Sequence, residues 1–127
     1  MSGSGLYRLY TALCQIGDHD IICTNETEIV AAGEANPNSV ARQTVRVFNN
    51  ILGGFARDAA LTTGAFGGVV IGGGVSKHVS PYIGESEFVA RFQTMGSGAP
   101  VMPDIPVRLI MASFVPLYGA AAQLLDP

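Results

Sequence analysis

Charge is scarce in this sequence. Of its 127 residues 13% are charged and 48% hydrophobic, and the net charge is −3. A soluble domain ordinarily carries about 25% charged residues. The shortfall points to a face covered by a partner, another domain or a second copy, so a homo-oligomer is expected. No run of Lys or Arg offsets the acidity, which argues against nucleic acid as a partner. Cysteine is nearly absent. Cys14 and Cys23 stand nine positions apart with no His or Cys at metal-ligand spacing, so two reduced thiols and no metal site are expected. Long apolar runs are missing too: residues 69–75 are too few and too rich in glycine to cross a bilayer. Met1-Ser2-Gly3-Ser4-Gly5 has neither the basic flank nor the apolar core of a signal peptide. A soluble, cytoplasmic chain with no membrane partner is the expectation.

What is present fills one domain of residues 1–127 and no more. The amphipathic run starts right after Met1-Ser2-Gly3-Ser4-Gly5, as at a cut domain boundary or at a native amino terminus. Leu6, Leu9, Tyr10, Leu13 and Ile16 recur at helical spacing, with Ser4 as the expected N-cap and Gly17-Asp18 as the stop. Residues 21–24 form a short apolar connection. Residues 26–35 read as a helix capped by Thr24 or Asn25 and stopped at Asn36-Pro37. The longest element runs from Val40 to Gly64, capped by Ser39 and Gly64, with Val40, Thr44, Val47, Phe48, Ile51, Leu52, Phe55, Ala59 and Leu61 in period. Gly53-Gly54 inside it costs roughly 1–2 kcal/mol relative to alanine. Either a second backbone approaches there or a strong helix simply tolerates the pair.

Residues 67–74 read as a short buried strand framed by glycines. A helix or turn over 75–83, broken at Pro81, comes next. A helix over 86–94 follows, with Phe88, Val89 and Phe92 as its buried stripe. After a Gly/Pro-rich loop over 95–104, a second buried strand over 106–111 is expected. A last helix starts near Pro116, with Leu117, Ala120, Ala121 and Leu124 inward. Strand–helix–strand–helix order predicts an α/β fold with a parallel sheet. Two strands are few for a complete sheet, so further strands are expected upstream of Met1.

The stretch Gly72-Gly73-Gly74-Val75 leaves the first strand through three glycines into a helix. Such an exit lets a flat ligand lie against main chain, and the following helix offers free N–H groups. A tight turn or close packing gives the same spacing. Together with its flanks the segment resembles the carboxyl half of bacterial glucokinase, of the actin/hexokinase/Hsp70-like fold. The likeness rests on residues 2–10 (SGSGLYRLY), 52–61 (LGGFARDAAL), Gly64-Ala65-Phe66-Gly67-Gly68-Val69 and Gly72-Gly73-Gly74-Val75. It continues through Phe88-Val89-Ala90-Arg91-Phe92, Asp104-Ile105-Pro106-Val107 and Leu117-Tyr118-Gly119-Ala120-Ala121, in order over nearly the whole chain.

The resemblance implies a partial ribonuclease H-like sheet with helices, belonging to the nucleotide-side, carboxyl-terminal domain of a two-domain sugar kinase. It also implies ATP, Mg²⁺ and glucose as cofactors and substrate, with phosphoryl transfer to the glucose 6-hydroxyl. Gly72, Gly73, Gly74 and Val75 become the adenosine-contacting residues. The long helix resembles one that crosses the interdomain hinge, its glycines packed on a partner helix. The family's aspartate base with adjacent asparagine, its Glu- and His-containing glycine motif, its further sugar-binding glutamate and its two phosphate-gripping turns all find no match. They are expected upstream of Met1, in an amino-terminal domain that this chain lacks, so no catalytic residue is assigned and the isolated chain is expected to be inactive. Three departures stand out. Lys77-His78 replaces a Pro-Arg pair, Met95-Gly96-Ser97-Gly98 lacks basic and aromatic residues, and Ala112-Ser113-Phe114-Val115 is more apolar than usual.

The remaining polar residues read blandly. His19, in Asp18-His19-Asp20, belongs to a polar turn before a base or metal site. His78 is an exposed helix start or a nucleotide contact. Arg57 with Asp58 is a surface or hinge contact, and Glu26, Glu28 and Glu34 form a solvated helix face. Two functions of different class remain: part of an ATP:glucose phosphotransferase, or a non-catalytic kinase-fold regulatory or nucleotide-binding domain. An upstream reading frame with an Asn-Asp pair and a Glu-Gly-Gly-His-like motif separates them.

Overall fold

The computed structural model describes residues 1–94 and 104–125. Three helices come first. α1 (Gly3–Ile16) is capped by Ser2, whose Oγ accepts the Gly5 N–H at 3.2 Å. The expected cap, Ser4, instead lies inside the first turn. Ser2 takes the role because its extended backbone (φ −154°, ψ 170°) folds its side chain back over the open N–H groups.

α2 (Glu26–Ala35) is capped by Asn25, whose Oδ1 accepts the Glu28 N–H at 3.0 Å. The Glu28 carboxylate in turn accepts the Thr24 N–H at 2.7 Å and its hydroxyl at 3.0 Å, a reciprocal cap. α3 (Val40–Thr63) starts at Ser39 and ends at Gly64, which adopts the left-handed conformation (φ 64°, ψ 31°).

Leu6, Tyr10 and Cys14 repeat every four residues along α1 and form one stripe. They pack with Ile29 of α2 and with Ala41, Val45 and Phe48 from the first half of α3. Leu6, Ile29 and Val45 are fully buried, each contributing about 1.5–3 kcal/mol. The Tyr10 hydroxyl accepts the Ile22 N–H at 3.3 Å, folding the connection after α1 back against it. Burial pushes the Tyr10 phenol above its ordinary pKa. Cys14 and Cys23 sit in the same core as free thiols.

The second core joins Leu52 and Ala56 of α3 to Ile71, Phe88, Phe92 and Ile105. β1 (Val69–Ile71) pairs in parallel with β2 (Val107–Leu109), Val69 opposite Val107 and Ile71 opposite Leu109. Both strands are shorter than expected. Gly68 (φ 141°) precedes β1, and Pro106, which has no N–H to give a ladder, precedes β2. Between them run α4 (Gly74–Val79), a 3₁₀ turn (Ser80–Glu85) and α5 (Phe88–Gln93). α6 (Val115–Leu125) is the last described element.

Three expected faces differ. On α5, Phe88 and Phe92 are buried but Val89 is exposed, because only an i, i+4 pair fits the α3 contact. β2 is half-buried, since its outer face and one edge have no neighbour among the described residues. α6 turns none of Leu117, Ala120, Ala121 and Leu124 into the core. Most of the expected 95–104 loop, and with it Met95 to Gly98, lies outside the described residues.

α3 is the common spine of both cores, and Gly53 is where α5 crosses it. A Cβ there would run into the Phe88 carbonyl oxygen and lie 3.0 Å from Phe88 Cα. That close approach offsets the cost of a helical glycine, and the partner helix is α5. Gly54 differs. The nearest atom to its Cβ direction is Arg57 Nη2 at 4.0 Å, so its packing offers no such offset. Arg57 itself caps α5, donating from Nη1 to the carbonyls of Arg91 (3.3 Å) and Thr94 (2.9 Å) while pairing with Asp58. No helix among the described residues is long and apolar enough to cross a membrane.

Candidate functional site

β1 delivers the chain to the glycine turn from a fixed floor. Ile71 is buried, and its carbonyl accepts the Ile110 N–H at 2.9 Å just beyond β2. Gly72 then passes close over Ile110, whose Cδ1 would stand 3.1 Å from an added Cβ. Gly73 adopts φ 122°, ψ 164°, a backbone open in practice only to glycine. The buried Ser76 hydroxyl donates to the Gly73 carbonyl at 2.7 Å and locks the turn from inside. Gly74 opens α4. Among the described residues no atom stands within 4 Å of the Cβ direction of Gly73 or Gly74, so both face open space.

α4 is anchored from below by α3. Asn49, fully buried, donates from Nδ2 to the Val79 carbonyl at 3.0 Å. Arg42 pairs with Glu85 through two hydrogen bonds, 3.0 Å from Nε and 2.9 Å from Nη2, and its guanidinium lies 3.9 Å from the centre of the Tyr82 ring. These ties hold the helical segment after the turn against the spine. The turn is therefore rigid below and bare above.

Gly72, Gly73 and Gly74 are exposed and Val75 is half-buried, so the four come together as one ridge with a cleft on each side. One cleft, of about 400 Å³, runs beneath the start of α1 and is lined by Ser2, Gly3, Glu26, Phe48 and Leu52. Glu26 is half-buried there: its Oε1 would lie 2.6 Å from a Cβ on Gly3. It thus leaves the solvated acidic face expected of it, while Glu28 and Glu34 stay exposed.

The other cleft, of about 690 Å³, opens toward β2 and α6 and is lined by Lys77, His78, Ile110, Ser113, Phe114 and Pro116 among others. Among the described residues no carboxylate lines it. Lys77 Nζ donates to Ser113 Oγ at 3.0 Å and ties α4 across the cleft to the segment after β2. His78 is exposed and reaches both clefts. The two walls thus differ in sign, acidic on the α1 side and basic on the β2 side.

His19 is exposed in the turn after α1, away from the ridge. Among the described residues no three His, Cys, Asp or Glu side chains come together. Sequence reasoning alone misses Ser76, Ser113, Phe114 and Glu26. A serine two residues past a glycine triplet is a signal for the first. The others need the fold to bring them near.

Residues 1–126 match the family model described as Glucokinase. The chain belongs to the glucokinase family. It is 37% identical over 126 residues to the glucokinase of Chromobacterium violaceum, covering 99% of this chain and 36% of that relative. The glucokinase of Colwellia psychrerythraea is 37% identical over 130 residues, covering 98% of this chain and 39% of that protein. The protein named bifunctional protein glk from Burkholderia orbicola is 37% identical, and the match covers 20% of it. A crystal structure of glucokinase from an Antarctic psychrotroph superposes with a TM-score of 0.86 at 32% identity, covering 99% of this chain and 39% of that one. The chain thus spans 36–39% of the length of these glucokinases, in their carboxyl-terminal region.

Proposed function

We propose that this chain is the nucleotide-side, carboxyl-terminal portion of an ATP-dependent glucokinase, which transfers the ATP γ-phosphoryl group to the 6-hydroxyl of glucose. Its two strands and their helices are read as one part of a ribonuclease H-like sheet. Gly72, Gly73, Gly74 and Val75 carry the adenosine contact. The supporting observation is the ridge itself: Gly73 and Gly74 present bare main chain between two clefts, with none of the described residues above them. A nucleoside resting there meets backbone without side-chain collision. The basic cleft suits it better, because Lys77 and His78 line it and no carboxylate among the described residues does.

The isolated chain is proposed to be inactive. Phosphoryl transfer depends on positioning, on a base that orients the acceptor hydroxyl and on charge neutralisation around the phosphates. Mg²⁺ supplies part of that neutralisation when bound. The described residues offer no cluster to hold it, so no step is assigned to a metal held by this chain. Ser76 keeps the turn in shape, and Lys77 supplies the positive charge at the ridge.

The test is an NMR titration of the chain with ATP, paired with an assay for glucose 6-phosphate. Weak binding with shifts centred on residues 72–78, abolished by Gly74→Val, is expected, with no product. Tight binding that survives Gly74→Val would overturn the site. Turnover by the chain alone would overturn the proposed division of labour. The regulatory reading gains only if the chain, joined to the amino-terminal part of a relative, still gives no product. Self-association through the exposed Ile16 and Ile22 is a further part of the proposal, and sedimentation velocity reads it directly.

A further inference from the structure

Phe114 occupies a position that local preference would give to another residue. Its backbone is left-handed (φ 58°), and Asp18 is the other non-glycine with positive φ among the described residues. Asp18 lies in the turn after α1, and the short polar side chain of aspartate eases that conformation. A bulky aromatic has no such relief, and a left-handed one is a genuine outlier. Phe114 also stands immediately before α6, where its carbonyl accepts the Leu117 and Tyr118 N–H groups at 2.9 and 3.3 Å. Helix starts favour serine, threonine, aspartate or asparagine there, because a side-chain oxygen takes a further N–H. Phenylalanine offers none. Burial does not explain the choice either, since the residue is 73% exposed. Conflicts of this kind between local preference and the observed residue concentrate at functional sites.

The place where Phe114 is held suggests its use. It lines the larger cleft beside the glycine ridge, together with Ile110, Lys77 and His78. The segment that carries it is tied to the helical segment after the ridge at two points. Lys77 Nζ donates to Ser113 Oγ at 3.0 Å, and Ser80 Oγ donates to Met111 Sδ at 3.9 Å. Two departures noted in the sequence, Lys77-His78 and the apolar 112–115 segment, thus meet across one cleft. Bare main chain, an aromatic ring and a cation share its walls. A flat ring with an anionic tail matches all three. A sugar phosphate would satisfy the cation and leave the aromatic ring in water.

We infer that Phe114 is the base-stacking residue of this chain's nucleotide site, packing on the face of the nucleobase turned away from Gly73 and Gly74. The inference rests on the ridge as the adenosine contact and adds the residue that holds the base. Stacking of this kind reads a π face and not a hydrogen-bond pattern.

The sequence contains no tryptophan, so Phe114→Trp places a single one at the cleft. ATP should quench its emission along the same titration that shifts residues 72–78, and inorganic tripolyphosphate, which has no base, should not. A tryptophan in place of Phe55, exposed on α3 and outside the cleft, should not respond to either. Phe114→Gly removes the ring and relieves the left-handed backbone, so its melt should lie at or above that of the parent. ATP binding should nevertheless weaken by about 10-fold, as for the loss of one base–aromatic stack. Tripolyphosphate binding should stay unchanged, and Phe114→Tyr should keep the affinity for ATP.

Shifts at residues 72–78 without quenching, or undiminished ATP binding by Phe114→Gly, overturn the inference and leave the ridge as the nucleotide site. Equal loss of ATP and tripolyphosphate binding also overturns it, because the ring then shapes the cleft and holds no base. So does a tryptophan emission that changes with protein concentration alone, since a second copy then covers the ring. Quenching by ATP without shifts at residues 72–78 keeps Phe114 as the base platform and overturns the ridge contact. Absence of both responses overturns the two together.

Discussion

The two cores of this molecule are closed to different degrees. Around Leu6, Ile29 and Val45, three helices cover one another, and the charged residues at the seam, Arg42 and Glu85, are paired. Around Ile71, Phe88 and Phe92, the two strands leave an outer face bare, Val70 is 62% exposed and α6 covers nothing. The first half is a finished helical unit. The second is an open one, and the candidate site lies along its opening, where bare backbone remains available to a ligand. Parallel strands are ordinarily buried on both faces. The exposure of β1 and β2 therefore leaves this half uncovered among the described residues.

Substitutions can break or sharpen that contrast. The largest effect is expected from Leu6→Ala. Emptying a fully buried position in the closed core should cost about 2–5 kcal/mol in urea denaturation. Leu124→Ala, on the open side, should fall within about 0.5 kcal/mol of the parent. Comparable losses at both positions would mean that α6 packs on its own chain.

Next comes the glycine pair in the spine. Gly53→Ala pushes a methyl group into the Phe88 backbone, which cannot rotate away, and should cost about 1–3 kcal/mol. Gly54→Ala meets only the end of the Arg57 side chain, at an ordinary contact distance of 4.0 Å, and should stabilise by up to about 1 kcal/mol. Equal effects would show that the α3–α5 crossing is looser than it looks.

A smaller effect separates the last two glycines of the ridge. Gly73→Ala should lower stability by about 1–2 kcal/mol because of its positive φ. Gly74→Ala should change it by less than about 0.5 kcal/mol, and chemical denaturation of the two variants side by side makes the comparison.

The smallest concerns the α2 cap. The Thr24 N–H holds the exposed Glu28 carboxyl below its ordinary value, with the Thr24 hydroxyl adding to it. A depressed folded pKa means that this contribution is present above the ordinary glutamate value, about 4.3. It is lost as pH falls through the lower folded value. Melting curves of Glu28→Gln should therefore differ from the parent at neutral pH and converge with it in acid. A difference that persists unchanged in acid would remove the carboxylate from the account.

Much of this was legible in the residues. Ser39, Gly64 and the Val40–Thr63 period define α3 without reference to anything else, because capping and periodicity are local. Asn25 was one of two possible caps, and the glycine exit was visible as an exit. Most of the errors have one cause. Val89 as a buried residue, Gly54 as a contact and the inward face of α6 all depend on what lies opposite, whereas the cap moved from Ser4 to Ser2 through the local, extended backbone of Ser2. A periodic stripe says that a residue prefers a partner, not that its own chain provides one. The Lys77–Ser113 tie and the acidic and basic walls lay beyond reach for the same reason.

The sequence by itself determined the main helices, the ends of α2 and α3, the glycine turn and the family, since each rests on neighbours along the chain or on residues in order. Only the tertiary structure decided that Gly53 meets the α5 backbone while Gly54 meets only the end of the Arg57 side chain, that the turn stands bare between two clefts, and that α6 is left uncovered by the described residues. Those are distances between segments far apart in the chain. No local preference of a residue encodes the identity of the atom that will stand across from it.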